Sequence, residues 1–385
     1  MTGEKRTEYG AHWWGGRERA EGPDFSLSAP RGCPLGWIYP RAEGPEQDEA
    51  WSALESAAPP WSERRIRDRA RNLRAVAREL EGLTTDAEEL GTYLGLSRSE
   101  WREFGSEWRE DLERGWRHRS WRPSPAGVVL VRAHWTEGVA DLFGRVGTAL
   151  IEGASVLVVS DERLPQAADL VVEAWSRRSV EPGALAVLHG VRDEGCRELA
   201  EREACRRVEV VGTDRELASW LQEPREAQPR LRTREVKSGE IRLAADDDVE
   251  RCAAGIVARA FGRVQTLGGQ LPGALARVHC DERIFSRLTE CLLEVLEGEE
   301  SVELPPCIDR AAAADHHKAC MRGLDQGATL IVGSEELGAP VGGSSDRPRV
   351  APAVLTNVEP EMEVARWRRP TPVLSLIRTS RNGPS

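Results

Sequence analysis

The stretch FGRVQTLGGQLPGALARVHC, Phe261–Cys280, decides the fold of this chain. Its first half is a glycine-rich loop, and Ala274–Cys280 at its end predicts a short buried strand. The run that follows, Ile284–Leu296, places its apolar residues on one helical face and predicts an amphipathic helix. Upstream, Glu235 precedes a weak strand predicted over Ile241–Ala244. The sequence therefore predicts a glycine-rich loop that leads directly into a buried strand and a packed helix.

Four apolar runs precede this loop at regular intervals, with helical patterns between them. They are Val128–Arg132, Ser155–Val159, Leu185–His189 and Val208–Val211. Continuous apolar runs joined by helices indicate an α/β fold with a doubly wound parallel sheet, which binds ligands at the carboxyl ends of its strands. No G-x-G-x-x-G motif follows the first run, so the ordinary dinucleotide fingerprint is missing from the sequence.

The order of these motifs resembles that of the aldehyde dehydrogenase superfamily. Glu235 matches the glutamate of the family's L-E-L-G-G-K motif, and Asp246 and Asp247 match the acidic pair that follows it. Gly269 and Gln270 match the start of the family's G-Q-x-C nucleophile loop. Further matches, in the family's order, are Trp135, Gly153, Glu162, Pro165, Pro182, Gly183, Val187, Gly190, Gly212 and Thr213. The resemblance implies the family's cofactor domain and a second, truncated α/β domain of the catalytic type.

The resemblance fails at the residues that carry the family's chemistry. The nucleophilic cysteine falls at Pro272, and proline has neither a nucleophilic side chain nor a backbone N–H. The oxyanion amide falls at Thr136, the cofactor-ribose lysine at about Val159, and the second ribose-binding glutamate near Arg368. Cys280 lies too far along the predicted strand to replace the nucleophile, so we do not expect it to act as one.

Four residues keep the type that the resemblance requires. Glu235 is the candidate catalytic carboxylate, and Glu162, Gly212 and Thr213 are the candidate cofactor-binding residues. For Glu235, the alternative to a catalytic base is a relic of the fold. Gly212 and Thr213 open a helix after a strand, where N–H groups bind anions, and the alternative there is a plain strand-to-helix turn.

The sequence predicts no metal site and no assured cofactor. Asp315, His316, His317 and Cys320 include an i, i+4 pair that could hold a metal, and we favour a solvated helix face instead. The resemblance implies NAD or NADP as a cofactor if the pocket is intact.

We therefore expect an aldehyde dehydrogenase fold without aldehyde dehydrogenase chemistry. Such a protein would be catalytically inactive and would serve as a scaffold, binding or regulatory module. The alternative is an NAD(P)-dependent aldehyde oxidoreductase with unconventional catalytic residues. A third interpretation is a nucleotide or small-anion binder that uses Gly212 without turnover.

Charge and cysteine content narrow the partners and the compartment. The formal net charge of −11 argues against binding to nucleic acid or to an anionic membrane surface. No apolar run is long enough to span a bilayer. The eight cysteines form no C-x-x-C pair, which is typical of a reducing compartment, so we expect a cytoplasmic protein. The sequence is compatible with a protein partner and does not indicate its identity.

Three segments are predicted along the chain. They are a Trp-bearing tail over residues 1–45, a helical lead-in with an NAD(P)-binding-type Rossmann-like domain over 46–238, and the truncated catalytic-type domain over 239–385. We expect Trp13, Trp14 and Trp37 to dock onto the body, because exposed indole rings are costly. The resemblance implies a subunit-joining arm and tail that this sequence lacks, so the family-type dimer is not expected. The Trp-bearing segment is then the one available to cover a free sheet edge.

Overall fold

The structure is a computed structural model that describes residues 6–27, 35–104, 126–178, 180–221, 230–298, 303–334 and 340–379. Its strands are β1 (Arg6–Tyr9), β2 (His12–Trp14), β3 (Arg17–Arg19), β4 (Asp24–Leu27), β5 (Leu35–Pro40), β6 (Val128–Arg132), β7 (Ser155–Val159), β8 (Leu185–Leu188), β9 (Cys205–Gly212), β10 (Arg230–Glu235), β11 (Gly239–Leu243), β12 (Leu275–Asp281), β13 (Thr329–Val332), β14 (Gly342–Gly343), β15 (Pro348–Arg349), β16 (Ala353–Val358) and β17 (Val373–Thr379).

The α-helices in the same part of the chain are α1 (Gly44–Glu63), α2 (Ile66–Asp86), α3 (Glu88–Leu94), α4 (Gly138–Glu152), α5 (Gln166–Arg177), α6 (Asp193–Ala200), α7 (Asp214–Leu221), α8 (Val249–Phe261), α9 (Glu282–Gly298) and α10 (Arg310–Asp325). Residues 98–104 are also helical.

The chain divides into two compact units. Of the described residues, those up to 90 and those from 101 to 235 form the first unit, and residues 91–100 with those from 236 onward form the second. The strands within residues 1–45 belong to the first unit. The division between Glu235 and Val236 lies close to the boundary that the sequence predicts after residue 238.

A seven-stranded sheet forms the centre of the first unit, in the order β10-β9-β6-β7-β8-β2-β3. The five strands from β10 to β8 are parallel to one another. β6 and β7 coincide with two predicted apolar runs, and β8 and β9 contain most or all of the other two. The prediction of a doubly wound parallel sheet is confirmed, and its carboxyl edge is where a ligand site is expected.

Two short strands close one edge of this sheet. β2 runs antiparallel to β8 with Trp13 opposite Val187, and β3 runs antiparallel to β2. Trp14 is 3% exposed and packs into the core of the first unit, and Trp13 and Trp37 are also buried. The expected docking of the three tryptophans is confirmed, and the strand that carries Trp13 and Trp14 covers the edge of β8.

The second unit has a five-stranded sheet in the order β11-β12-β17-β16-β13. Its first four strands are parallel and β13 pairs antiparallel at the edge. β12 is the strand predicted at the end of the opening stretch, and α9 is the predicted amphipathic helix. The buried face of α9 includes Phe285, Leu288 and Leu292. None of the helices that the structure describes is long and apolar enough to cross a bilayer.

A buried histidine at the strand edge makes the first unit sensitive to acid. His12 is fully buried, and its Nδ1 accepts a hydrogen bond from the backbone N–H of His189 at 3.1 Å. Burial, and then the neighbouring His189, lower the pKa of His12 to about 3. In an unfolded chain a histidine titrates near 6.5, so between these values the unfolded state binds a proton that the folded state does not. Stability is thus full above about pH 6.5 and falls as the pH drops toward 3.

We expect this single group to cost about 2 kcal/mol of unfolding free energy between pH 7 and pH 5. Urea unfolding at both pH values measures it. In His12→Asn the loss between the two pH values should shrink by about that amount, whereas the exposed His317→Asn should leave it unchanged. An unchanged pH dependence in His12→Asn would show that His12 is not the group responsible.

Candidate functional site

The carboxyl edge of the first unit's sheet brings together three of the four residues predicted for the site. Glu235 ends β10 and pairs with Gly212, the last residue of β9. Thr213 follows Gly212 and precedes α7. The side chain of Glu235 is half-buried. A carboxylate and a glycine turn therefore stand side by side where a parallel sheet places its ligands.

The turn after β9 is already occupied by a carboxylate of the chain itself. Glu216 accepts hydrogen bonds from the backbone N–H of Thr213 at 2.7 Å and from its hydroxyl at 2.9 Å. The N–H of Glu216 donates back to the Thr213 hydroxyl at 3.4 Å, which completes a capping box. A Cβ placed on Gly212 would lie 3.0 Å from the Cβ of Glu216. The donors of the turn are suited to an anion, and the carboxylate of Glu216 occupies that position.

Neighbouring side chains hold Glu216 there. Arg163 donates to one of its oxygens at 3.1 Å, and Nε2 of His134 lies 3.2 Å from the other. Burial alone would raise the pKa of Glu216, but the hydrogen bond from His134 and the charge of Arg163 hold that pKa well below its usual range. Arg163 also binds both oxygens of Asp161, at 2.9 and 2.7 Å. For Asp161 burial again opposes ionisation, yet Arg163 lowers its pKa to about 2.

This network of His134, Asp161, Arg163 and Glu216 was not predicted from the sequence. One signal for it was present, because Thr213 and Glu216 have the three-residue spacing of a capping box. Asp161 and Arg163 are also neighbours in one loop, whereas the contacts of Glu216 with His134 and Arg163 join separate strand ends and leave no local pattern.

Two further family positions of the first unit, the cofactor-ribose lysine and the oxyanion amide, have lost the donors that the resemblance requires. Val159 is buried at the end of β7, and the hydroxyl of Thr136 hydrogen-bonds Nδ1 of His134 at 2.8 Å. Glu162 lies between Asp161 and Arg163 in the chain and pairs with Arg41 at 2.6 Å, with 45% of its side chain exposed. Glu162 therefore offers an accessible carboxylate near the same sheet edge.

In the second unit, the glycine-rich loop around Pro272 has a defined conformation. Gly268, Gly269 and Gly273 all have positive φ, and a Cβ on Gly269 would lie 2.8 Å from the carbonyl oxygen of Ala260. The buried Gln270 fixes the loop by donating to the carbonyl oxygens of residues 267 and 306 and accepting from the N–H of residue 308. Pro272 is exposed on this loop. At the position of the family's nucleophile, this loop therefore presents a residue that has no nucleophilic side chain.

No cysteine in the described part of the chain replaces that nucleophile. Six of its seven free cysteines are buried and Cys252 is half-buried, while Cys33 lies outside the described residues. Cys280 is fully buried, and burial raises the pKa of its thiol to about 11. A thiol with so high a pKa is a poor nucleophile at neutral pH.

The predicted solvated face in the middle of α10 is wrong for two of its residues. His316 is 4% exposed and Cys320 is fully buried, because both face the core of the second unit. Burial lowers the pKa of His316 to about 4. Within the described ranges, no three His, Cys, Asp or Glu side chains are grouped as metal ligands.

Comparison with known proteins identifies the family. The family model described as "Aldehyde dehydrogenase family" matches residues 36–382. The chain belongs to the aldehyde dehydrogenase family. Malonate-semialdehyde dehydrogenase 1 of Geobacillus kaustophilus is 26% identical over 243 residues, which are 60% of this chain and 47% of that protein. Alpha-ketoglutaric semialdehyde dehydrogenase of Bacillus subtilis is 24% identical over 262 residues, or 66% and 52%. This aldehyde dehydrogenase family member thus spans about half the length of the curated relatives it matches.

Solved aldehyde dehydrogenase family structures share the fold. NADP-dependent glyceraldehyde-3-phosphate dehydrogenase from Bacillus halodurans, complexed with NADP, superposes with a TM-score of 0.80 at 20% identity and covers 97% of this chain and 82% of its own. A 1-pyrroline-5-carboxylate dehydrogenase from Thermus with bound NAD gives 0.81 at 20% identity, over 97% and 77% of the two chains.

The family implies a nicotinamide dinucleotide, and the residues present fit one part of it. The turn at Gly212 and Thr213 holds a carboxylate through two donors of the kind that suit a diphosphate oxygen, and Glu216 occupies these donors in this structure. The exposed carboxylate of Glu162 suits a ribose hydroxyl. At the nicotinamide ribose the resemblance places Arg368, which has no acceptor for a hydroxyl, and there the residues do not fit.

Proposed function

We propose that the chain is an NAD(P)-dependent aldehyde oxidoreductase with unconventional catalytic residues. The observation that carries this proposal is Glu235, which stands at the carboxyl end of β10 beside Gly212 in a chain that matches the family over residues 36–382. The matched relatives are named as semialdehyde dehydrogenases, so the proposed substrates are semialdehydes.

The proposed chemistry avoids a covalent intermediate, because Pro272 offers no nucleophile. An aldehyde in water is in equilibrium with its hydrate, which already has the two oxygens of the acid product. Glu235 would accept a hydroxyl proton of that hydrate as the carboxylic acid forms. A nicotinamide dinucleotide held at the Gly212 turn and at Glu162 would supply the hydride acceptor.

A second candidate function is favoured by the loop of the second unit. Pro272 is exposed where the family has its nucleophile, and the cysteine of the following strand is buried. These observations support a catalytically inactive scaffold, binding or regulatory module. The same measurements separate the two candidates.

We expect slow reduction of NAD or NADP with succinate semialdehyde, followed by absorbance at 340 nm. Glu235→Gln should lower kcat by on the order of 100-fold, because the base is lost. Glu294→Gln removes a carboxylate that is 69% exposed on α9 and should leave the rate unchanged. Equal rates in the wild type and Glu235→Gln would contradict the proposed role of Glu235.

Thermal unfolding with NAD and with NADP completes the test. A cofactor at 100 times its Kd stabilises the folded state by about 2.7 kcal/mol. No turnover and no cofactor stabilisation together would overturn the proposed oxidoreductase and support the inactive module. Turnover that Cys280→Ala abolishes would show instead that a thiol is used.

We also propose the cytoplasm as the compartment. The support is that the described cysteines are all free thiols, as is usual in reducing compartments.

A further inference from the structure

The second unit contains a pocket of about 520 Å³ whose lining includes Arg368, the residue at the nicotinamide-ribose position of the resemblance. It is lined by Lys237, Ser238, Gly239, Glu240, Arg277, Ala365, Arg366 and Arg368. The volume is that of a site for a small molecule. Four of the eight lining residues are cations and one is an acid, in a chain whose net charge is −11. The pocket therefore has the opposite charge to the protein as a whole.

The single acid of the lining is neutralised by the most buried cation. Glu240 accepts a hydrogen bond from Nε of Arg277 at 3.1 Å. Nη1 of Arg277 donates to the Ser238 hydroxyl at 3.1 Å and to the carbonyl oxygen of Trp367 at 2.6 Å. These contacts hold a guanidinium, 8% exposed, in a fixed position in the wall. The pair cancels, which leaves the cations Lys237, Arg366 and Arg368 in the lining, and Arg368 has an interaction of its own.

Two of those cations have no acid to pair with. Lys237 and Arg366 are exposed side chains, and no carboxylate of the described residues lies within salt-bridge distance of either. Nε of Arg366 donates to the carbonyl oxygen of Pro360 at 3.2 Å, which orients the guanidinium without neutralising it. Clustered cations without counter-charges repel one another, and a bound anion relieves that repulsion.

We propose that this pocket binds a small anion through a carboxylate or phosphate group. Ammonium and guanidinium groups are the donors that such oxygens prefer, and charge-assisted hydrogen bonds of this kind are the strong ones. The occupant lies beside the glycine-rich loop, because the carbonyl oxygen of Lys237 accepts the N–H of Gly273 at 2.9 Å. The site stands on this geometry alone and does not depend on the proposed oxidoreductase activity.

Isothermal titration of the whole chain with succinate, and separately with inorganic phosphate, tests the site. Lys237→Met should weaken binding about tenfold, the usual effect of losing one hydrogen bond to a charged group. Lys318→Met removes the same charge from an exposed position on α10, outside the pocket, and should change the affinity less than twofold. Binding of one anion and not the other would identify the group that the pocket takes.

The chain has only three lysines, Lys5, Lys237 and Lys318, so their signals can be followed one by one. After reductive ¹³C-methylation, the Lys237 signal, assigned by its loss in Lys237→Met, should move with added anion and saturate while the Lys318 signal stays. Arg366→Met gives a second variant if Lys237→Met is unstable, with the same tenfold loss expected. The proposal is overturned if neither anion binds, or if both lysine signals drift together without saturation.

Discussion

Deleting residues 1–40 is expected to convert a folded protein into one that aggregates. The deletion removes β2 and β3, and it exposes the edge of β8, whose residues Leu185–Leu188 are all apolar. An apolar strand edge with unpaired backbone groups is a template for pairing with other chains. The deletion also takes Trp14 out of the core of the first unit, and each large apolar side chain contributes about 1.5–3 kcal/mol by its burial.

Light scattering of the full-length and shortened proteins measures this effect. Glu18→Ala, on the exposed outer strand β3, is the control and should scatter like the wild type. The same measurement gives the oligomeric state, for which we propose that the family-type dimer is not formed. A shortened protein that stays as dispersed as the full-length chain would show that β2 and β3 do not protect the edge.

Replacing Arg69 by methionine is expected to lower the unfolding free energy by about 3–5 kcal/mol. Arg69 is 2% exposed in α2, and its guanidinium caps the ends of two other helices. Nε donates to the carbonyl oxygen of Ile151 in α4 at 2.8 Å, and Nη1 donates to that of Ser62 in α1, also at 2.8 Å. Methionine fills similar space but leaves these buried carbonyl oxygens without donors.

Guanidinium chloride unfolding compares this variant with Arg71→Met. Arg71 is 77% exposed on the same helix and pairs with Asp68 at 3.4 Å, so its loss should cost less than about 1 kcal/mol. Because domains have total stabilities of about 5–15 kcal/mol, the two variants are easily told apart. Equal stability of the two would mean that water or a backbone shift satisfies the carbonyl oxygens when Arg69 is absent.

The strands with continuous apolar runs were predictable, and the shortest strands were not. Two of these strands are nearly or fully buried along their length, namely Val128–Arg132 and Ser155–Val159. Because consecutive residues in them are apolar, their burial can be predicted from the sequence. β2 has three residues, and its partner β8 lies far along the chain. A segment of three residues is too short to show the alternation of apolar and polar residues that predicts a strand. It forms a strand only because it pairs with a distant partner.

The residues of the candidate site could be predicted from the sequence, but the contacts that they make could not. The motifs singled out Glu235, Gly212 and Pro272, and the structure places Glu235 beside Gly212 and Pro272 on an exposed loop. That Glu216 fills the turn depends on its contacts with His134 and Arg163, which come from other strands. The basic pocket of the second unit likewise combines residues near 238, 277 and 366, and side chains from separate segments leave no signature in a single stretch.

The closing of the sheet edge by β2 also sets an order of events during synthesis. His12 and His189 are bonded across a separation of 177 residues. At roughly 5–20 residues per second, a ribosome needs on the order of 10–35 s to make β8 after β2 has emerged. For that time Trp13 and Trp14 have no sheet to join, so the first strands to leave the ribosome dock among the last. A chaperone that binds aromatic segments would find its target in this nascent chain. In refolding, slow protection of the β2 amides in pulsed hydrogen exchange would show that β2 docks late.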